Sequence, residues 1–210
     1  MFKPKSGVLR SLLFALIGLL LALLLAGCNL GGGSGNAPTP TPTPTPTPKP
    51  TPSPTAIPLT TYTGTGFTIG YPQGWKVTHQ GNNAIQFTDP SGIYNFAVAV
   101  TSNPGGVVSP NEQINVALSA GNSNLKNPQP VSVPPTTSVG GDTWSQKSET
   151  GNATVNGQNT IVQLVVIADN HPPNSPSTRS FLIAYGTGKS IFVAANTTYF
   201  QPMLLSFKFT

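Results

Sequence analysis

Cys28 is the single thiol of the 210-residue chain, and a thiolate is among the strongest nucleophiles a side chain supplies. It stands directly after Leu25-Ala26-Gly27, at the end of an apolar run over residues 12–25 broken only by Gly18. Lys3, Lys5 and Arg10 precede that run. A basic start, an apolar middle and small residues before a boundary form the three-part layout of a secretory signal. The run is short for a bilayer span, which takes about 20 residues. The alternative is an incidental cysteine closing a membrane anchor.

Elsewhere the residues able to do chemistry are sparse. His79 lies in an alternating stretch with Trp75 and Val77, as a core-edge or a functional histidine. His171 lies in Asp169-Asn170-His171-Pro172-Pro173, where a loop could set a carboxylate beside an imidazole. A protein-built metal site takes about three or four ligands, so no metal and no cofactor is expected. Among the carboxylates, Glu112 fits a helix cap, and Asp89 and Asp142 sit beside Pro or Gly as turn residues do. No Gly-x-Ser-x-Gly elbow occurs. Gly64-Thr65-Gly66 leads into a strand pattern where a phosphate loop would lead into a helix. Trp144 and His171 are the candidate ligand contacts, and Trp75 reads as a core anchor. Asn152-Ala153-Thr154 and Asn196-Thr197-Thr198 match the glycosylation acceptor pattern.

Charge narrows the partners. The chain carries 10 Lys plus Arg against 5 Asp plus Glu, a net +5, and charged residues make up 7%. Lys3, Lys5 and Arg10 fall in the expected signal and Lys49 in the linker, so the remainder is 10 − 4 = 6 basic against 5 acidic residues, or +1. Nucleic-acid binding through phosphates needs clustered cations and is not expected. One cysteine excludes a disulfide framework.

The elements that would position these residues begin after a linker. Residues 31–35 are Gly/Ser-rich, residues 38–55 alternate Pro and Thr, and ten of the 23 prolines lie between Pro38 and Pro58. Such a run has little apolar surface to bury and favours an extended spacer of about 50–60 Å. Three regions follow: a signal over 1–27, the lipid-bearing Cys28 with a disordered linker over 28–60, and a folded domain over 61–210.

Within the domain, Phe67, Ile69 and Tyr71 alternate as a strand ending at Pro72-Gln73-Gly74. Trp75, Val77 and His79 predict a second strand, Ile85 and Phe87 a third, and Phe96, Val98 and Val100 a fourth. Ser109-Pro110-Asn111-Glu112 predicts a helix start, with Gly121 its stop. A Pro-rich crossover leads to a strand over 143–150, a turn at Gly151-Asn152, and a long strand over 159–169. A hairpin is expected over 180–195 around Gly188-Lys189, then a short helix over 199–205 and an end strand over 207–209. The fold class expected is α+β, with about seven to nine strands and two helices covering a mainly antiparallel sheet.

Two resemblances add to this reading. Leu25-Ala26-Gly27-Cys28 resembles the bacterial lipobox, which implies cleavage between Gly27 and Cys28 and a diacylglycerol thioether on the Cys28 sulfur. Gly66-Phe67-Thr68-Ile69-Gly70-Tyr71-Pro72-Gln73-Gly74-Trp75 resembles the opening motif of the PsbP superfamily. Tyr94-Asn95-Phe96-Ala97-Val98-Ala99-Val100 resembles its next long strand, and Leu204-Leu205-Ser206-Phe207-Lys208-Phe209 its ending. The motif residues are then Phe67, Ile69, Tyr71, Pro72, Gly74, Trp75, Ser206 and Phe207.

That likeness covers roughly residues 62–210 and implies an α/β/α sandwich and a non-catalytic role. The superfamily's name-giving members are extrinsic photosystem II subunits that help retain calcium and chloride. The long stalk and scarce charge depart from that photosynthetic pattern. The combined expectation is a lipid-anchored bacterial protein on the extracytoplasmic face of the membrane. Its domain would serve a protein partner as a non-enzymatic accessory, or bind a small ligand or wall polysaccharide.

Overall fold

The computed structural model describes residues 57–210 except 82, 123–124 and 156–157. The signal, Cys28 and most of the linker lie outside the described residues. In chain order the strands are β1 (Leu59–Gly64), β2 (Phe67–Pro72), β3 (Lys76–Gln80), β4 (Ala84–Thr88) and β5 (Asn95–Ser102). Helix α1 (Pro110–Gly121) follows, then β6 (Lys126–Val131), β7 (Thr136–Val139), β8 (Asp142–Val155), β9 (Gln158–His171) and β10 (Arg179–Gly188). The chain closes through α2 (Phe192–Ala195), α3 (Gln201–Ser206) and β11 (Lys208–Phe209).

An eight-stranded antiparallel sheet runs β3-β4-β5-β10-β9-β8-β6, with β7 also paired to β8, and a separate three-stranded sheet runs β1-β2-β11. The alternation of β5 explains how the large sheet is covered. Phe96, Val98 and Val100 join the aromatic-rich core on one face, while Ala97 and Ala99 join the second core on the other. In β10, Phe181, Ile183 and Tyr185 fall on the first face and Leu182 and Ala184 on the second. Small side chains let α1 sit close, through Ile114, Ala117 and Leu118; the bulky ones hold off a thicker layer.

That thicker layer corrects the expected sandwich. Among the described residues helix α1 covers the small-residue face, and the opposite face is covered by the three-stranded sheet together with the C-terminal helical segment. The architecture is mostly antiparallel sheet with few helices. The helix start at Ser109 is as expected, its Oγ accepting from the Glu112 N–H at 3.2 Å.

Several boundaries differ from the expectation. Gly151-Asn152 is strand interior, because β8 pairs with β9 continuously from Ser145↔Ala168 to Val155↔Gln158. Its glycine makes room for Leu125, whose Cβ would lie 3.0 Å from an added methyl at Gly151. The Pro-rich crossover contains β6 and β7, with Pro128 and Pro130 tolerated because β6 is an edge strand.

The expected hairpin at Gly188-Lys189 is replaced by a helical turn over Lys189–Ile191 and α2. Phe192, Ala195, Phe200, Met203 and Leu204 are all buried. A π turn over Asn196–Phe200 lies between the two phases of that stripe. Burying this apolar face outweighs the strand propensity of Ile191 and Val193.

Candidate functional site

The two sheets meet at one end around the last residues of the chain. β11 pairs with β2 through Phe209↔Phe67, and the Thr210 N–H donates to the Gly66 carbonyl at 3.1 Å. This brings Phe209 onto the end of the large sheet, where its ring stacks on the His171 imidazole with centroids 3.7 Å apart and planes 8° apart. Phe181 meets Phe209 edge-on at 4.9 Å, and Trp144 lies parallel to it at 5.8 Å.

His171 and Arg179 are directly opposite in the β9–β10 register. Opposed residues share a sheet face, so both project toward the three-stranded sheet. A cleft of about 230 Å³ opens there, with Gly66 and Thr210 on one side and His171, Ser177, Arg179 and Phe181 on the other. Gly66 has φ +81°, and a methyl placed on it would lie 2.5 Å from the Arg179 Nη1. The guanidinium therefore lies against bare backbone. Among the described residues no hydrogen bond or ion pair engages it.

The loop that joins β9 to β10 is held by Thr178, which is buried. Its Oγ1 donates to the Pro172 carbonyl at 2.6 Å and accepts from the Ser175 N–H at 2.9 Å. The Asn103 N–H donates to the Thr178 carbonyl at 2.9 Å, and the Gly105 N–H to the Ser175 carbonyl at 2.8 Å. This bracing fixes where Ser177 and Arg179 leave the loop.

The expected site residues separate into two groups. Trp144, expected as a ligand contact, is 0% exposed and packs edge-on against Phe207 at 5.2 Å. That burial corrects the expectation: no ring face is left for a ligand to stack on. Among the described residues its Nε1 has no hydrogen-bond partner. His171, the other expected contact, is half-buried and lines the cleft. His79 is exposed, yet it pairs with Ile85 as Val77 pairs with Phe87, so it lies at the outer edge of the same aromatic-core face that Trp75 joins. There it stands near Tyr62, centroids 6.2 Å apart, at a second cavity of about 50 Å³.

The motif residues occupy scaffold positions. Phe67 stacks on Phe207 at 5.5 Å, Ile69 is fully buried, and Tyr71 packs on Phe87 at 5.0 Å. The Trp75 N–H donates to the Pro72 carbonyl at 3.2 Å across a turn in which Gly74 has φ +87°. Trp75 then packs on Tyr199 at 5.6 Å. The Ser206 Oγ accepts from the Gly70 N–H at 2.8 Å and donates to the Met203 carbonyl at 2.6 Å, tying the last helix to β2.

The carboxylates are mostly committed to local structure. Asp89 accepts from the backbone N–H groups of Ser91 at 3.0 Å and Tyr94 at 2.7 Å, as a turn residue does. Burial pushes the Asp169 carboxyl above its ordinary value, opposed by the Asn170 backbone N–H and helped by the negative charge of Asp142, while His171 works to lower it. Burial likewise raises Glu149, against a hydrogen bond from Asn122 and the charge of Lys147. Among the described residues no group of three or more His, Cys, Asp or Glu is placed to hold a metal ion. Among them also, no helix is long and apolar enough to cross a membrane.

Sequence reasoning missed Arg179, Ser177, Phe181 and Phe209. The available signal was the alternation Asp169, His171 on one strand and Arg179, Phe181 on the next. Once the intervening loop is read as a hairpin connection, Arg179 falls opposite His171.

No family model matches the chain, and no curated protein matches it. Among solved structures the chain is similar to LpqN of Mycobacterium tuberculosis, described as involved in cell envelope biogenesis, at 14% identity and TM-score 0.46 over 73% of this chain and 91% of LpqN. It is also similar to a Bacteroides thetaiotaomicron protein at 12% identity and TM-score 0.45 over 69% of this chain, spanning 45% of that protein's length. Likenesses at this level carry no argument about activity.

Proposed function

We propose that the chain is a lipid-anchored bacterial protein whose domain, held off the extracytoplasmic face of the membrane by the Pro-Thr stalk, acts as a non-catalytic binding module for an envelope or membrane partner. The observation that carries this reading is Leu25-Ala26-Gly27-Cys28 at the end of the apolar run, followed by the Pro-Thr alternation of residues 38–55. Cleavage before Cys28 and attachment of diacylglycerol would anchor the chain, and two or more acyl chains suffice for stable residence. The non-catalytic part is supported by the structural duties of Asp89 and by the scaffold positions of the motif residues. Kinship with the PsbP superfamily is part of the same proposal and rests on the motif residues alone.

Metabolic labelling with a radiolabelled fatty acid tests the anchor. Label on the wild type that disappears in Cys28→Ala supports it; undiminished label on the variant overturns it. Affinity capture from gently solubilised membranes tests the module: a stoichiometric membrane-protein partner is the expected result.

A second reading, a small-ligand binding domain, is favoured by the cleft between His171 and Arg179.

A further inference from the structure

We infer that the cleft between the two sheets binds a small organic anion, a carboxylate carried on a planar apolar body, with Arg179 holding the charge. This rests on the small-ligand reading of the cleft and names its ligand class; it does not rest on Cys28 or on the tethering.

Three observations converge on that ligand class. The first is the state of Arg179. Its guanidinium lies against Gly66 at the cleft, engaged by no hydrogen bond or ion pair among the described residues. A guanidinium fork matches the two oxygens of a carboxylate and is worth most when both are taken at once.

The second is the register. Arg179 faces His171 directly across β9 and β10, and among the described residues no ion pair joins either side chain to a carboxylate. The acidic group sharing this face of β9 is Asp169, opposite Phe181 in the register. Burial and the nearby Asp142 disfavour its charged form, while the Asn170 backbone N–H and His171 itself favour it.

The third is the wall. His171 is backed by Phe209 in a parallel stack, Phe181 lines the floor, and Pro172 completes an apolar side. The Ser177 hydroxyl stands at the rim, paired to the Ser175 hydroxyl at 2.9 Å. A cleft of about 230 Å³ lies below the range of about 300–1,000 Å³ for drug-sized ligands, so the body is a single ring or a short chain. Inorganic phosphate would fill the charge and leave the apolar wall uncovered.

Isothermal titration calorimetry on the full chain in detergent micelles tests this with benzoate, its neutral counterpart benzamide, and inorganic phosphate. Saturable benzoate binding, at least tenfold tighter than benzamide or phosphate, is the expected result. Arg179→Gln should weaken benzoate at least tenfold, and Arg179→Lys should recover part of that loss through charge without the fork. Arg179 is exposed, so both variants should melt at the wild-type temperature, and that is measured alongside. The proposal is overturned by absent benzoate binding, by benzamide or phosphate binding equally well, or by Arg179→Gln binding as the wild type does.

Discussion

The imidazole of His171 lies flat against the ring of Phe209, centroids 3.7 Å apart and planes 8° from parallel. His171 ends the longest pair of strands in the large sheet, and Phe209 sits on the last strand of the small one. One stacked pair thus joins the two sheets beside the cleft. A stack of this kind contributes about 0.5–1.5 kcal/mol beyond its area. In a double-mutant cycle of His171→Ala and Phe209→Ala, urea denaturation should give a coupling of about 1 kcal/mol. Additive losses would show that the stack is geometry without energy.

Asn170 is the hub between α1 and the large sheet. Its Oδ1 accepts from Gln113 Nε2 at 2.8 Å, Ser180 Oγ at 3.0 Å and Asn103 Nδ2 at 3.2 Å, and its Nδ2 donates to the Val108 carbonyl at 2.8 Å. Gln113 and Ser180 are buried; removing their acceptor leaves the Ser180 hydroxyl unpaired, at about 1–3 kcal/mol, and leaves Gln113 Nε2 only its bond to the Val108 carbonyl at 3.2 Å. Asn170→Ala should therefore cost about 2–3 kcal/mol, more than the roughly 1 kcal/mol expected for the exposed cap variant Ser109→Ala. Denaturation midpoints of the two variants in the reverse order would contradict this ranking.

Gly140 has φ +59°, and a methyl at that position would collide with the Phe207 carbonyl oxygen. Its own N–H donates to the Leu204 carbonyl at 3.2 Å, so it has no freedom to withdraw. Gly140→Ala should cost about 2 kcal/mol or more. Gly141, φ +95°, has open space around it and should lose only the conformational part, about 1 kcal/mol. Comparison of the two melting temperatures separates collision from strain.

Trp144 is fully buried, and among the described residues its Nε1 has no partner. Trp144→Ala should cost about 3–5 kcal/mol through the cavity it leaves. Trp144→Phe removes the unpaired donor while keeping most of the apolar volume, and should cost under about 1.5 kcal/mol. Equal losses in the two variants would mean that the indole N–H is satisfied in solution.

Burial raises the Asp169 carboxyl above its ordinary value near 3.8. The folded state therefore holds its proton to higher pH than the unfolded chain does. The corresponding stability is present below the ordinary carboxylate range and is lost as pH rises through the folded pKa. Asp169→Asn cannot ionise, so its stability relative to the wild type should improve between pH 3 and pH 7. Thermal melts across that interval read the difference directly, and a variant that instead loses ground as pH rises would reverse the assignment.

The local determinants were readable in the sequence by itself. The Ser109 cap, the Gly74 turn and the alternation of Phe67, Ile69 and Tyr71 each follow from side-chain chemistry within a few residues, and the structure has them where they were expected. The signal, the lipid on Cys28 and the stalk are proposed from composition and order along the chain, and those residues lie outside the described ones. Long-range pairing decided the rest. Residues 190–195 have strand propensity, yet they coil because Phe192 and Ala195 are buried against the core only as a helix. Gly151 resembles a turn until Leu125 packs over it. Trp144 resembles a ligand platform until Phe207 and Phe209 close on it. The cleft depends on Gly66, His171 and Arg179, which are distant in sequence and meet only through the pairing of β2 with β11 and of β9 with β10. A sequence records which side chains are present, and their exposure is a property of what packs against them.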